Sequence, residues 1–205
     1  MFLLKQYPEY IFNFEGAVKY AWMKEYYPAQ YEEMKKFIES GRWHISGASW
    51  DATDTLVPSI ESALRNIMLG QDYYRKEFGV ESTDIFLPDC FGFGWTLPAI
   101  ASHCGLIGFS SQKLQWRNKP FYGNDKYPFT VGLWQGIDGS TIMMTHGYDY
   151  NQRFEDGDLS ENKDLLELTG HSPLHMVYRY YGTGDIGGLP TFGFVCGGGE
   201  GVEGD

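Results

Sequence analysis

Between Pro58 and Ser110 helical and strand patterns alternate, and this alternation limits the folds open to the chain more than any other feature. Pro58 to Phe78 is a long helical stretch with Ser59 and Ser62 near its start, a stripe of Leu64, Ile67 and Met68, and Gly79 at its end. Asp84 to Leu87 is a short apolar strand that Pro88 cuts off. Leu97 to Cys104 is a short helix, and Ile107 to Ser110 is another strand. Strands separated by helices imply βαβ units and a parallel sheet.

The flanks extend the pattern. Met1 to Asn13 reads as the end of one unit. Phe14 to Met23 carries Phe14, Val18, Ala21 and Trp22 at helical spacing. Pro28 opens a second helix over Ala29 to Ser40, with Tyr31, Met34, Phe37 and Ile38 on one face and Glu32, Glu33, Lys35 and Lys36 on a solvated one. Trp43 to Trp50 alternates like a strand. Val131 to Trp134 and Thr141 to Thr145 form a hairpin around Gly136 to Gly139. Asn118 to Pro128 is a polar stretch, Asn151 to Gly170 is acidic and partly helical, and Met176 to Tyr181 reads as a strand. The Gly-rich acidic residues 196–205 read as a disordered tail behind a domain over 1–195.

Composition closes several alternatives. A net charge of −11 repels phosphate backbones, which argues against nucleic-acid binding. Three scattered cysteines make no disulfide framework and no structural zinc spacing. Apolar runs are too short to span a bilayer. The opening MFLLKQYPEYIF lacks the regions of a signal peptide and reads as mid-domain, so the compartment stays open.

Two segments carry chemistry. In Leu87-Pro88-Asp89-Cys90-Phe91-Gly92 a carboxylate follows a strand on a Gly-containing loop, where α/β barrels place reactive groups. In residues 181–191 four glycines and a proline surround Asp185, again after a strand, and no phosphate-loop lysine follows. Spacing alone leaves each aspartate open to a plain role in a turn or helix cap. Two carboxylates at separate strand ends also suit glycoside hydrolysis, in which one attacks the anomeric carbon and the other moves the proton.

The order of motifs is more specific. YPEY, YAWMKEYYPAQYEEMKKFIESGRWHISGASWDATD, PSIESALRNIMLGQDYYRKEFG, FLPDCFGFGWTLPAI and GTGDIGGLPT together resemble the catalytic domain of the bacterial α-mannosidases of glycoside hydrolase family 38, from about Tyr7 to Thr191. The resemblance implies a seven-stranded β/α barrel with parallel strands, incomplete in this chain, and a retaining, zinc-dependent release of mannose from α-mannoside glycans. It implies that Asp89 is nucleophile and zinc ligand and that Asp185 is the general acid/base. It also implies that Asp54, Trp50, Tyr148 and Asp149 contact sugar. The family's His-x-Asp zinc motif would lie upstream and its later zinc-binding His downstream, and neither matches His44, His103, His146, His171 or His175. The resemblance therefore makes the chain an internal, catalytically silent piece of a larger domain. Trp22, Trp43 and Trp134 read as core. Another metal-dependent carbohydrate hydrolase would need a complete Asp/His triad, and a carbohydrate-binding β-sandwich would not contain these helices.

Overall fold

The computed structural model describes residues 1–115, 130–146, 163–171, 174–176 and 178. The chain runs α1 (Phe2–Gln6), β1 (Phe12–Phe14), α2 (Ala17–Tyr26), α3 (Pro28–Glu39), β2 (Trp43–Ile45), α4 (Ile60–Phe78), β3 (Asp84–Phe86) and α5 (Leu97–His103). It continues through β4 (Gly108–Ser111), a short 3-10 turn (Lys113–Gln115), β5 (Val131–Gln135), β6 (Thr141–His146) and α6 (Lys163–His171).

Each helix has a local cause. Pro28 supplies the first-turn residue of α3, and Tyr31, Met34 and Ile38 bury its apolar face. Ser59 caps α4 by accepting from the Ser62 amide at 3.2 Å. Gly79 ends α4 in the left-handed conformation, and Arg75 and Lys76 lie in its last turn. Its buried stripe is Ile67, Gly70, Gln71 and Tyr74, whereas Met68 faces solvent. The sequence stripe was therefore rotated: Gly70 and Gln71 do not look apolar in sequence but lie on the inner face.

β1 and β2 pair in parallel, as do β3 with β4 and β4 with β6, and β5 closes the second sheet as the antiparallel arm of a hairpin with β6. A backbone bond from Ala48 to the Asp84 carbonyl, 2.8 Å, links the end of the β2 segment to β3. The carboxylate of Asp84 also accepts from the Gly47 amide at 2.8 Å. The architecture is thus mixed α/β with parallel strands, as expected, and among the described residues the strands do not close into a barrel.

Two core clusters form. One joins Ile67 of α4, Ile85 and Leu87 around β3, Leu97 and Ile100 of α5, Phe109 of β4, and Ile142 and Met144 of β6. The other packs Tyr20 and Ala17 of α2, Tyr31 and Met34 of α3, Trp43 of β2 and Tyr74 of α4.

Two boundaries, one burial and one expected strand differ from the sequence reading. Phe14 belongs to strand β1, because its neighbours pair with residues 43–45, so α2 begins only after Gly16. β2 ends at Ile45, because Gly47 takes a positive φ and the chain turns toward β3. Trp22 is half-exposed and not core, since it stands on the outer side of α2. Of the strand expected over 176–181, the described Met176 and Tyr178 are not in a strand. The stretch 118–128 and the tail 196–205 lie outside the described residues.

Candidate active site

The carboxyl-terminal ends of β3 and β4 lie side by side, because Leu87 continues the pairing with its amide donating a hydrogen bond of 2.9 Å to the Ser110 carbonyl. Asp89 therefore leaves the sheet beside the residues that follow β4. Lys113, two residues past β4, places its ammonium 2.8 Å from Oδ1 of Asp89. The Asp89 side chain is 61% exposed, whereas that of Lys113 is only 11% exposed. The same ammonium lies over the Phe91 ring, 5.0 Å from its centroid. An accessible carboxylate held by a largely sequestered cation is a group that can reach a ligand without wandering.

A second loop, 51–57, packs on this one. The Thr55 hydroxyl donates to the Gly92 carbonyl at 2.7 Å, and the Cys90 thiol donates to the Thr53 carbonyl at 3.3 Å. Asp54 lies on that loop and turns it by accepting the amides of Leu56 and Val57 at 2.7 and 3.2 Å. Burial pushes the Cys90 thiol up, and the negative charges of Asp54, Asp89 and Glu15 push it further. The structure thus brings Asp54 and Asp89 to one junction.

Trp50 stands elsewhere in its contacts. Its ring meets Tyr73 of α4 edge-on at 5.8 Å, and it joins the α2–α3–α4 cluster. Asp185, Tyr148 and Asp149 lie outside the described residues. His146 ends β6 opposite Ser111 of β4 and is buried, while His44, His103, His171 and His175 are exposed.

Zinc fits the described residues poorly. Among them no three His, Cys, Asp or Glu side chains come together, and Asp89 is engaged by a lysine. An apolar cleft of about 280 Å³ between β1, α2 and α3, lined by Phe12, Phe14, Trp22, Met23 and Tyr26 among others, contains no carboxylate and lies away from Asp89.

The sequence reading missed Lys113. Its signal was present: Lys113 lies two residues past β4, much as Asp89 lies three residues past β3. Two large aromatic residues on the Asp89 loop, Phe91 and Trp95, are also exposed, Trp95 by 79%, which is unusual for a tryptophan and suits the face of a sugar ring.

The parallel strands with helices between them, and an exposed carboxylate at the carboxyl end of one of them, define the class as a mixed α/β protein. Residues 1–191 match the family described as glycosyl hydrolases family 38 N-terminal domain, and the chain belongs to that family. It is 36% identical over 196 residues to alpha-mannosidase G of Dictyostelium discoideum, covering 92% of this chain and 17% of that protein. It is 30% identical over 192 residues to human alpha-mannosidase 2C1, covering 92% of this chain and 18% of that protein. The crystal structure of an alpha-mannosidase from Enterococcus faecalis V583 superposes with a TM-score of 0.59 at 23% identity, over 70% of this chain and 16% of that one, and so shares the fold. The chain thus spans less than a fifth of the length of these relatives.

Proposed function

We propose that the complete protein is a retaining α-mannosidase acting on α-mannoside glycans, and that this chain supplies its nucleophile, Asp89. The observation that carries the reading is the placement of Asp89: accessible, at the carboxyl end of a parallel strand, and oriented by Lys113. In this proposal residues 1–195 are part of a seven-stranded β/α barrel. Asp54, Trp50, Tyr148 and Asp149 surround the sugar. Zinc belongs to the complete protein, with Asp89 as one ligand and the others beyond the described residues; when bound it would hold the cis 2- and 3-hydroxyls of mannose.

The carboxylates carry the covalent chemistry. An Asp89 oxygen bonds to the anomeric carbon as the glycosidic C–O bond breaks, and Asp185 gives its proton to the departing oxygen. Water then attacks the same carbon and yields its proton to Asp185, and the Asp89 ester bond breaks to restore the carboxylate. Two inversions give net retention.

The test is trapping. A 5-fluoro mannosyl fluoride forms the glycosyl-enzyme faster than it is hydrolysed. Applied to the full-length protein and followed by peptide mass spectrometry, it should label Asp89. A label on another carboxylate removes Asp89 from the role.

A further inference from the structure

We propose that Lys113 is a positioning residue for Asp89, and that its ammonium eases the second half of the reaction by stabilising the carboxylate as it leaves the sugar. The inference rests on the reading of Asp89 as nucleophile.

Most lysines paired with an exposed carboxylate contribute little, because a long, wet side chain must be immobilised. Lys113 differs. Its side chain is 89% covered although its partner is 61% exposed. The segment that bears it is pinned twice: the Lys113 amide donates to the Ser111 hydroxyl at 3.2 Å, and the Gln112 amide to the Pro88 carbonyl at 3.4 Å. Ser111 is fully buried, so the anchor is packed on all sides. The Phe91 face bounds the ammonium on another side. The cation is therefore held before any substrate arrives, and it engages Oδ1, which leaves Oδ2 as the attacking oxygen.

A fixed cation acts differently on the two half-reactions. In the first, Asp89 spends its negative charge in forming the C1–Oδ2 bond, and Lys113 opposes that loss. In the second, water adds to C1, the C1–Oδ2 bond breaks with its electron pair passing to Oδ2, and Lys113 stabilises the returning charge. Lys113 makes Asp89 a better leaving group at some expense in nucleophilicity. Removing the charge should slow release of the sugar and let the glycosyl-enzyme accumulate.

The experiment uses the full-length protein with an aryl α-mannoside whose phenolate leaves without help. Lys113→Met should lower kcat by about ten- to a hundredfold, the range that a charge-assisted hydrogen bond supplies. KM should fall with it, kcat/KM should change far less, and a pre-steady-state burst of phenolate should appear. Lys113→Arg keeps the cation and should recover most of kcat. If Lys113→Met does not fold, Lys113→Gln keeps length and a donor without charge and is read by the same criteria. Equal losses in kcat and kcat/KM without a burst overturn the proposal, as does an arginine variant that behaves like methionine. Trapping on the unsubstituted protein separates the two levels. A label away from Asp89 removes both readings, whereas a label on Asp89 with no burst in the charge-less variant removes only the lysine.

Discussion

Gly70 of α4 lies directly against the Ala48 carbonyl, so closely that a β-carbon there would overlap that oxygen and come within 2.7 Å of the Ser49 carbonyl as well. The helix and the segment linking β2 to β3 meet backbone to backbone. That contact lets Ala48 bond to Asp84 and Trp50 to the Asn66 carbonyl, both at 2.8 Å.

Gly70→Ala should therefore destabilise the protein. In an open helix the same change stabilises by roughly 0.5–1 kcal/mol. Here the methyl group meets main chain that cannot rotate away, and a loss of about 1–3 kcal/mol or more is expected. Urea unfolding of Gly70→Ala beside the exposed-position control Met68→Ala reads the difference. A stabilised Gly70→Ala would show that the helix does not sit where it is described.

The start of α4 depends on one hydroxyl. Ser59→Ala removes the acceptor for the Ser62 amide and should cost about 1 kcal/mol, whereas Ser59→Asp should hold because it keeps an acceptor and places a negative charge near Glu61 at the helix N-terminus. Equal stability of the alanine and aspartate variants in denaturant titration would show that the cap contributes nothing.

Tyr20 joins two buried groups, donating to the Phe14 carbonyl at 2.9 Å and accepting from the Trp43 indole at 3.0 Å. Tyr20→Phe leaves both without that partner, and a loss of about 1–3 kcal/mol is expected. Burial also raises the phenol of Tyr20 well above its ordinary range, and it does the same for Tyr74 and Tyr31. Since the folded state holds these protons more tightly than the unfolded chain, their contribution is complete below about pH 10 and declines as pH rises beyond it. Alkaline unfolding followed by circular dichroism should coincide with a cooperative rise of tyrosinate absorbance. Gradual ionisation of all the tyrosines in the folded protein would contradict it.

The acid limb has a different source. Glu77 is lowered first by its bond from Lys24, at 2.6 Å, and also by the bond from the Tyr31 hydroxyl, at 3.0 Å. A lowered carboxyl contributes above its unfolded value of 4.5, and that contribution is lost as pH falls through the folded value. Glu77→Gln should flatten the acid side of the stability–pH curve, and it should also soften the alkaline side slightly, because the Glu77 charge helps to raise the Tyr31 phenol; denaturant titrations from acid to alkaline pH read both limbs.

For the proposed acid/base, Asp185→Ala in the full-length protein should reduce hydrolysis of mannosides with poor leaving groups far more than that of activated aryl mannosides, since only the former need a proton. Equal losses on both kinds of substrate would remove Asp185 from the role.

Much of this was legible in order along the chain. The 3.6-residue period and the caps of α3 and α4 are local, so Pro28, Ser59 and Gly79 announced them in sequence. The hairpin of β5 and β6 was legible for the same reason, its turn lying between its own strands. Asp89 could be singled out because a strand, a proline and a glycine-bearing loop are all neighbours in sequence. Other features depended on groups far apart in the chain. β1 exists because residues 12–14 find residues 43–45 across two helices, so Phe14, which carried a helical pattern, became part of a strand edge. Gly70 and Gln71 turned inward because the 46–49 segment and Ser82 come to meet them, Gln71 exchanging two hydrogen bonds with Ser82 at 2.7 and 3.0 Å. The pairing of Lys113 with Asp89 required β4 to lie in parallel register beside β3. Sequence by itself determined the positions of α3, α4 and the β5–β6 hairpin and which carboxylate stands past a strand end, because those rest on neighbouring residues. Only the tertiary structure decided which cation faces that carboxylate and which side of α4 is inside, because long-range contact selects among faces that local periodicity leaves nearly equal in energy.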